Sequence, residues 1–176
     1  MIESVKTMVK YTLCLLACAL LMSFPAYAQK LPDAGGSMIV SAVSHYNEGN
    51  IKKASEILKT LLASDSSNDA AWYYLAMCSL AEKDIEMAES RLEKAVSLDP
   101  DNYWYRYRLA GIYGATSRYD LTIETYEKLL ADFPKKSDLY IDLATYYSAQ
   151  NEFDKALKML DEVETIFGVS ESITIY

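Results

Sequence analysis

Apolar positions return along this chain at one fixed interval. Leu75-Ala76 is followed 34 residues later by Leu109-Ala110, and 34 later again by Leu143-Ala144, while stepping back from Ala76 lands on Ala42. A second column holds Ala54, Ala88, Thr122 and Ala156, a third Ile51, Ile85, Tyr119 and Phe153, and a fourth Leu58, Leu92, Tyr126 and Leu160. Within each period the apolar residues are three and four apart, as in Met38, Ile39, Ala42, Val43 and Tyr46, which is the spacing of one helical face. The pattern predicts paired helices over 38–46 and 51–62, 70–80 and 85–98, 103–115 and 119–132, and 137–149 and 153–167. Polar breaks separate them. Gly49 is placed to take a positive φ after the first helix, Asp69 is the expected cap of the third, and Pro100 and Pro134 cannot extend the helices before them.

A hairpin of two helices cannot bury its apolar sides alone, so each must stack on the next copy. The small residues at 42, 76, 110 and 144, and at 54, 88 and 156, let helices approach closely, and Leu75, Leu92 and Tyr113 fill the remaining space. These columns are therefore expected to be core. The 34-residue register divides the chain into units 35–68, 69–102, 103–136 and 137–170, behind a flexible leader at 29–34. Residues 171–176 begin what would be a fifth unit, leaving Val163, Ile166 and Phe167 at an uncapped edge, and the chain is expected to continue beyond them.

These columns resemble the tetratricopeptide repeat family. Trp72, Leu75 and Ala76 match its first-helix signature, and Ala88 and Pro100 its second half and closing proline. Leu109, Ala110, Tyr113, Tyr119, Leu129 and Pro134 match in the third unit, and Tyr140, Leu143, Ala144, Tyr147, Phe153 and Ala156 in the fourth. The first unit matches least, with Met38 where an aromatic is common. Arg106 and Thr122 depart from the usual bulky residue and alanine. The resemblance implies an all-α fold, a right-handed α-solenoid of helix-turn-helix repeats, and a concave groove lined by the first helices that binds a protein or peptide. Carried over residue by residue, the groove positions are Ile39, Val43 and Tyr46; Tyr73, Tyr74 and Met77; Trp104, Tyr107, Arg108 and Gly111; and Ile141, Asp142 and Thr145. Tyrosine, tryptophan and arginine are the types enriched at binding hot spots. The competing reading is that some of these rings pack between neighbouring first helices. Family members that clamp a terminal carboxylate use lysine, asparagine and arginine here. Only Arg108 qualifies, and Asp138 and Asp142 bring the opposite sign, so an apolar or aromatic segment with a basic residue near Asp142 fits better.

The first 28 residues interrupt this picture. Lys6 and Lys10 precede an apolar run from Tyr11 to Phe24, and Pro25 is followed by Ala26-Tyr27-Ala28. That is the layout of a signal peptide with cleavage after Ala28, and its run of roughly 14 residues falls short of the ~20 a bilayer span needs. The mature chain would be periplasmic or secreted. Leu15-Leu16-Ala17-Cys18 loosely resembles a lipoprotein processing box, so membrane attachment would be through the transient signal or a lipid anchor at Cys18. Without that segment Cys78 is the one cysteine left, so no internal disulfide is available, and its place between Met77 and Leu80 suits a buried small hydrophobe.

Charge and chemistry narrow the function further. A formal charge of −8 offers no basic face for phosphates, which argues against nucleic acid. His45 has no nucleophile signature beside it, and no metal or cofactor motif is present, so neither a catalytic residue, a metal site nor a cofactor is assigned. Gly111 and Gly114 lie inside a helix, where they would let something approach the backbone. The sequence reads as an exported scaffold for protein–protein interaction, in envelope assembly or secretion. The alternatives are an outer-membrane assembly lipoprotein and the docking arm of a larger enzyme or sensor.

Overall fold

The computed structural model describes residues 34–168. The expected signal peptide, Cys18, most of the expected leader and the expected start of a fifth unit lie outside the described residues. Residues 1–37 and 38–176 separate into two compact units, and of the first only the opening turn of one helix is described. Eight helices follow one another: α1 (Ala34–Asn47), α2 (Ile51–Ser64), α3 (Asp69–Ala81), α4 (Ile85–Leu98), α5 (Tyr103–Ala115), α6 (Tyr119–Asp132), α7 (Ser137–Ala149) and α8 (Phe153–Phe167). No strand occurs among the described residues.

Each predicted helix is present, and the differences lie at the ends. α1 starts at Ala34 and takes Gly35 and Gly36 into its first turn. α2 runs on to Ser64, whose hydroxyl donates back to the Leu61 carbonyl at 2.8 Å, closing the last turn with its own side chain. The cap of α3 is Asn68, not Asp69: the Asn68 amide oxygen accepts from the Ala71 N–H at 2.9 Å. Asp69 is displaced one residue into the helix, where its carboxylate favours the positive end of the dipole and is taken by a tyrosine from another helix. The turn inside each hairpin needs a left-handed residue, and Gly49 supplies it at φ 80°. The equivalent positions Lys83, Ser117 and Asn151 adopt φ of 64°, 59° and 63° without being glycine.

The buried columns are the recurrent ones. Ala42, Ala54, Ala76, Ala88 and Ala110 are all at most 1% exposed, so helix backbones meet there. Leu75, Leu92 and Leu143 fill the space between. The core is a series of successive clusters: Ala42, Leu58 and Leu75 in the first, Ala76, Leu92 and Leu109 in the next, then Ala110, Leu129 and Leu143. Cys78 is 1% exposed and free, and burial pushes its thiol pKa up, so it serves as packing.

The two departures from the repeat pattern are each satisfied. Thr122 is fully buried and donates to the Arg118 carbonyl one turn back at 3.0 Å, so the hydroxyl is not orphaned in the core. Arg106 lays its stem over the hairpin and reaches Asp132 at 2.6 Å, tying α5 to α6.

Candidate functional site

The first helices α3, α5 and α7 present one face on which the groove positions fall. A 34-residue step takes Ala70 to Trp104 to Asp138, Tyr73 to Tyr107 to Ile141, Tyr74 to Arg108 to Asp142, and Met77 to Gly111 to Thr145. What occupies each position decides how much surface it offers.

Aromatic rings knit this face together. Tyr73 stacks on Tyr105 with centroids 4.9 Å apart and meets Tyr74 edge-on at 5.2 Å. Tyr103 stacks on Tyr107 at 5.5 Å, with Trp104 edge-on to Tyr103 at 5.1 Å. Behind them Tyr126 packs on Tyr107 and Tyr146. Such pairs add stabilisation beyond burial of their area.

Three phenols donate to carboxylates on the neighbouring first helix. Tyr103 reaches Asp138 Oδ2 at 2.7 Å and Tyr107 reaches Asp142 Oδ2 at 2.8 Å, both from α5 to α7. Tyr105 reaches back from α5 to Asp69 on α3 at 2.7 Å. The first two pairs have the same sequence separation, 35 residues, one helical turn apart. Each bond is charge-assisted and holds one repeat against the next. Burial, with help from the neighbouring carboxylates, pushes the Tyr107 phenol up to about 12, and Tyr103 and Tyr105 rise for the same reason. Asp142 is also raised, first by desolvation and then by the nearby Asp138 charge, with the Tyr107 hydrogen bond pulling the other way.

The nominated residues therefore sort into two groups. Tyr46, Tyr73, Tyr74 and Tyr107 are half-buried and pack between helices, Met77 is 7% exposed within the core, and Asp142 is half-buried and already accepts a phenol. Trp104 stands out at 54% exposure, with Ile141 at 51% and Arg108 and Thr145 also exposed. Gly111 has nothing within 4 Å of where a side chain would begin, whereas at Gly114 the Tyr146 hydroxyl would lie 2.0 Å from a Cβ. Of the two glycines expected to allow close approach, Gly114 does so within the protein. Gly111 faces open space.

Sequence reasoning did not find Lys136 or the Tyr–Asp pairs. The Lys136 ammonium sits 4.7 Å from the Tyr103 ring centre and 5.7 Å from that of Trp104, a cation–π contact supplied by the loop before α7. The repeated 35-residue separation of Tyr103/Asp138 and Tyr107/Asp142 was the available signal. Elsewhere, His45 is half-buried near the α1–α2 turn, with Nδ1 at 3.6 Å from Glu48. Among the described residues no three acidic, histidine or cysteine side chains come together as a metal site would require, and no helix is long and apolar enough to cross a membrane.

Comparison with known proteins agrees with this architecture. The crystal structure of MamA superposes with a TM-score of 0.70 at 21% identity, covering 79% of this chain and 81% of that one. A fragment of MamA, residues 41 to the end, from Desulfovibrio magneticus RS-1 gives 0.69 at 17% identity, over 81% and 80% of the two chains. At such identities the likeness is one of fold. No curated protein sequence matches the chain. The sequence model of the tetratricopeptide repeat matches residues 45–106 and 115–166, more than half of the whole. Stacked hairpins, their shared register and that match place the chain in the tetratricopeptide repeat family.

Proposed function

We propose that the chain is an exported scaffold that binds a protein or peptide partner along the first-helix face, in envelope assembly or secretion. The observation that carries this reading is Trp104, a large aromatic more than half exposed in the middle of that face. Folding gains little from leaving such a ring in water, and a partner gains much from covering it. Ile141 extends the apolar surface on the next repeat, Arg108 offers a guanidinium, and Gly111 leaves room for a partner's backbone. Neither Arg108 nor Lys136 forms an ion pair among the described residues. Tyr46, Tyr73, Tyr74, Met77, Tyr107 and Asp142 hold this surface in place and border it. The fitting ligand is an apolar or aromatic segment, with a basic residue where it passes Asp142. The protein acts by binding and catalyses no reaction of its own.

In-cell photo-crosslinking from Trp104 and Ile141 tests the face. One dominant partner captured from both positions, and not from Glu86 on α4, is the expected result. Partners captured only from Glu86 would end the proposal. Export rests on the N-terminal run, and a mature chain beginning at Gln29 by mass is expected. A mature chain beginning at a lipid-modified Cys18 would instead make it an outer-membrane lipoprotein, the reading that Leu15-Leu16-Ala17-Cys18 favours.

A further inference from the structure

On the second-helix side of the array, successive second helices leave a groove over the first helix between them. Between α6 and α8 that groove is lined by Glu127, Tyr140, Tyr147, Met159 and Glu162. Two repeats earlier, between α2 and α4, the same positions hold Lys59, Trp72, Ser79, Arg91 and Lys94. The later grooves balance their own charge. Arg106 pairs with Asp132, Lys128 with Glu124 and Lys158 with Glu162, and Tyr147 donates to Glu127. The first groove does not. Lys59, Arg91 and Lys94 enter no ion pair among the described residues, in a chain of formal charge −8. Position 79 explains the depth of Arg91. Where Tyr113 and Tyr147 stand in the later repeats, Ser79 is small and 1% exposed, and the arginine reaches in beside it. Its Nη1 donates to the Leu75 carbonyl at 3.1 Å and to the Ser79 hydroxyl. Nε and Nη2 are not buried without a partner, so this edge of the guanidinium is open to solvent.

The surrounding charges leave this groove positive. Burial and Glu82 push the Cys78 thiol up, and Arg91 and Lys59 pull it down, so the cations of α4 and α2 converge on one stretch of α3. Lys94 lies three residues beyond Arg91, on the same side of α4, and like Lys59 it is exposed. The acids of the same elements are engaged or stand elsewhere. Glu56 pairs with Lys53, Asp65 accepts from Ser67, Asp69 from Tyr105 and Asp84 from the Met87 N–H, and Glu89 is gripped by Arg118. Asp99 accepts from Asn102, and Glu93 acts on Tyr113 in the next groove. Glu82 and Glu86 flank the α3–α4 turn, and Glu82 shares a cleft there with Lys52 and Lys53.

We propose that the groove between α2 and α4 docks an acidic peptide segment of a partner protein, with one carboxylate on the open edge of Arg91 and others on Lys59 and Lys94. A guanidinium is a planar fork that suits a carboxylate. Here one nitrogen is already anchored to α3, so little side-chain freedom is lost on binding. The recess selects against a flat anionic bilayer. A plane approaching Arg91 would meet Glu56, Glu82 and Glu86, all exposed, around the mouth of the groove. A single extended segment, whose side chains on one face recur about every 7 Å, passes between them. Trp104, Ile141 and Arg108 take no part, so this surface is tested separately from the first-helix face.

Fluorescence anisotropy of a labelled hexaglutamate peptide, titrated with the chain as the cell processes it, reads the groove. Saturable binding that weakens with added salt is expected. Lys59→Glu with Lys94→Glu should weaken it at least about tenfold, with the thermal melt unchanged because both side chains are exposed. Arg91 is left intact in this variant, since it also closes the Leu75 carbonyl. Lys128→Glu with Lys155→Glu makes the same change in net charge on later repeats and should weaken binding by less than about threefold. No saturable binding up to about 1 mM overturns the proposal, and so does an equal loss in the two double variants, which would mean that net charge alone is sensed. Phosphatidylglycerol vesicles held more tightly than hexaglutamate, and released by the Lys59/Lys94 change, would give the groove to a membrane instead. A dimer of the unaltered chain that the same change abolishes would give it to a second copy.

Discussion

Two glycines three residues apart in α5 have opposite environments, and their substitution should separate backbone propensity from packing. A helix-interior glycine costs roughly 1 kcal/mol relative to alanine. At Gly111 nothing opposes that gain, since no atom lies within 4 Å of the new Cβ. Gly111→Ala should therefore raise stability by up to about 1 kcal/mol in urea unfolding. At Gly114 the Tyr146 hydroxyl, Cζ and Cε1 would lie 2.0, 2.6 and 2.8 Å from a Cβ. Tyr146 would have to leave its place against Tyr119 and Tyr126. Overpacking of this kind costs about 1–3 kcal/mol, which offsets the propensity gain, so Gly114→Ala should destabilise where Gly111→Ala stabilises. The turn residues give a second test. Lys83 holds φ 64° with a Cβ that this conformation penalises, and Lys83→Gly should gain roughly 0.5–1 kcal/mol by the same assay. The register does align Gly49 with Lys83, Ser117 and Asn151. Gly49, and less strongly Asn151, announce the left-handed turn by residue type; at Lys83 and Ser117 hairpin geometry overrides the local preference.

At the scale of elements, α5 and α7 are joined by phenol–carboxylate pairs, and these make stability depend on alkaline pH. A group whose folded pKa is raised contributes stability that is whole below its unfolded value and is lost as pH rises through the folded one. For Tyr107 the ordinary value is 10.0 and the folded value about 12, and Tyr103, Tyr105, Tyr126 and Tyr147 shift the same way. The melting temperature should therefore hold up to about pH 10 and fall steeply above it, with ultraviolet absorbance showing tyrosinate appearing together with unfolding. Tyr107→Phe removes one such group and should flatten the fall, at the cost of leaving Asp142 without its donor. The helices were legible because alanine and leucine columns repeat at one period, and this alone specifies which faces are buried. The face at α5 and α7 was legible only in part. Tyr107 and Trp104 are both large aromatics at groove positions, yet Tyr107 spends its hydroxyl on Asp142 while Trp104 projects outward. Residue type cannot separate the two, because the separation depends on a partner one repeat away. Lys136 was invisible for the same reason: it acts from a loop through ring faces, with no periodicity to mark it.

For the array of residues 38–168 as a whole, each repeat touches its neighbours and little else, so local stability should vary along the chain rather than be shared evenly. α3 and α5 each have repeats on both sides and hold six and five buried residues, while α8 holds only Ala156. Amide hydrogen exchange should accordingly be slowest in α3, α4, α5 and α6, faster in α7, and fastest in α8, most of whose own apolar side chains are already exposed. Cross-repeat ties sharpen the gradient. Arg118 from the α5–α6 loop grips Glu89 of α4 with two bonds of 2.8 and 2.6 Å, holding Glu89 below the usual carboxylate range. Tyr147 of α7 donates to Glu127 of α6. No comparable bond joins α8 to a helix other than its immediate neighbour among the described residues. An α8 that exchanges as slowly as α3 would mean that stability is shared evenly along residues 38–168 and is not set repeat by repeat.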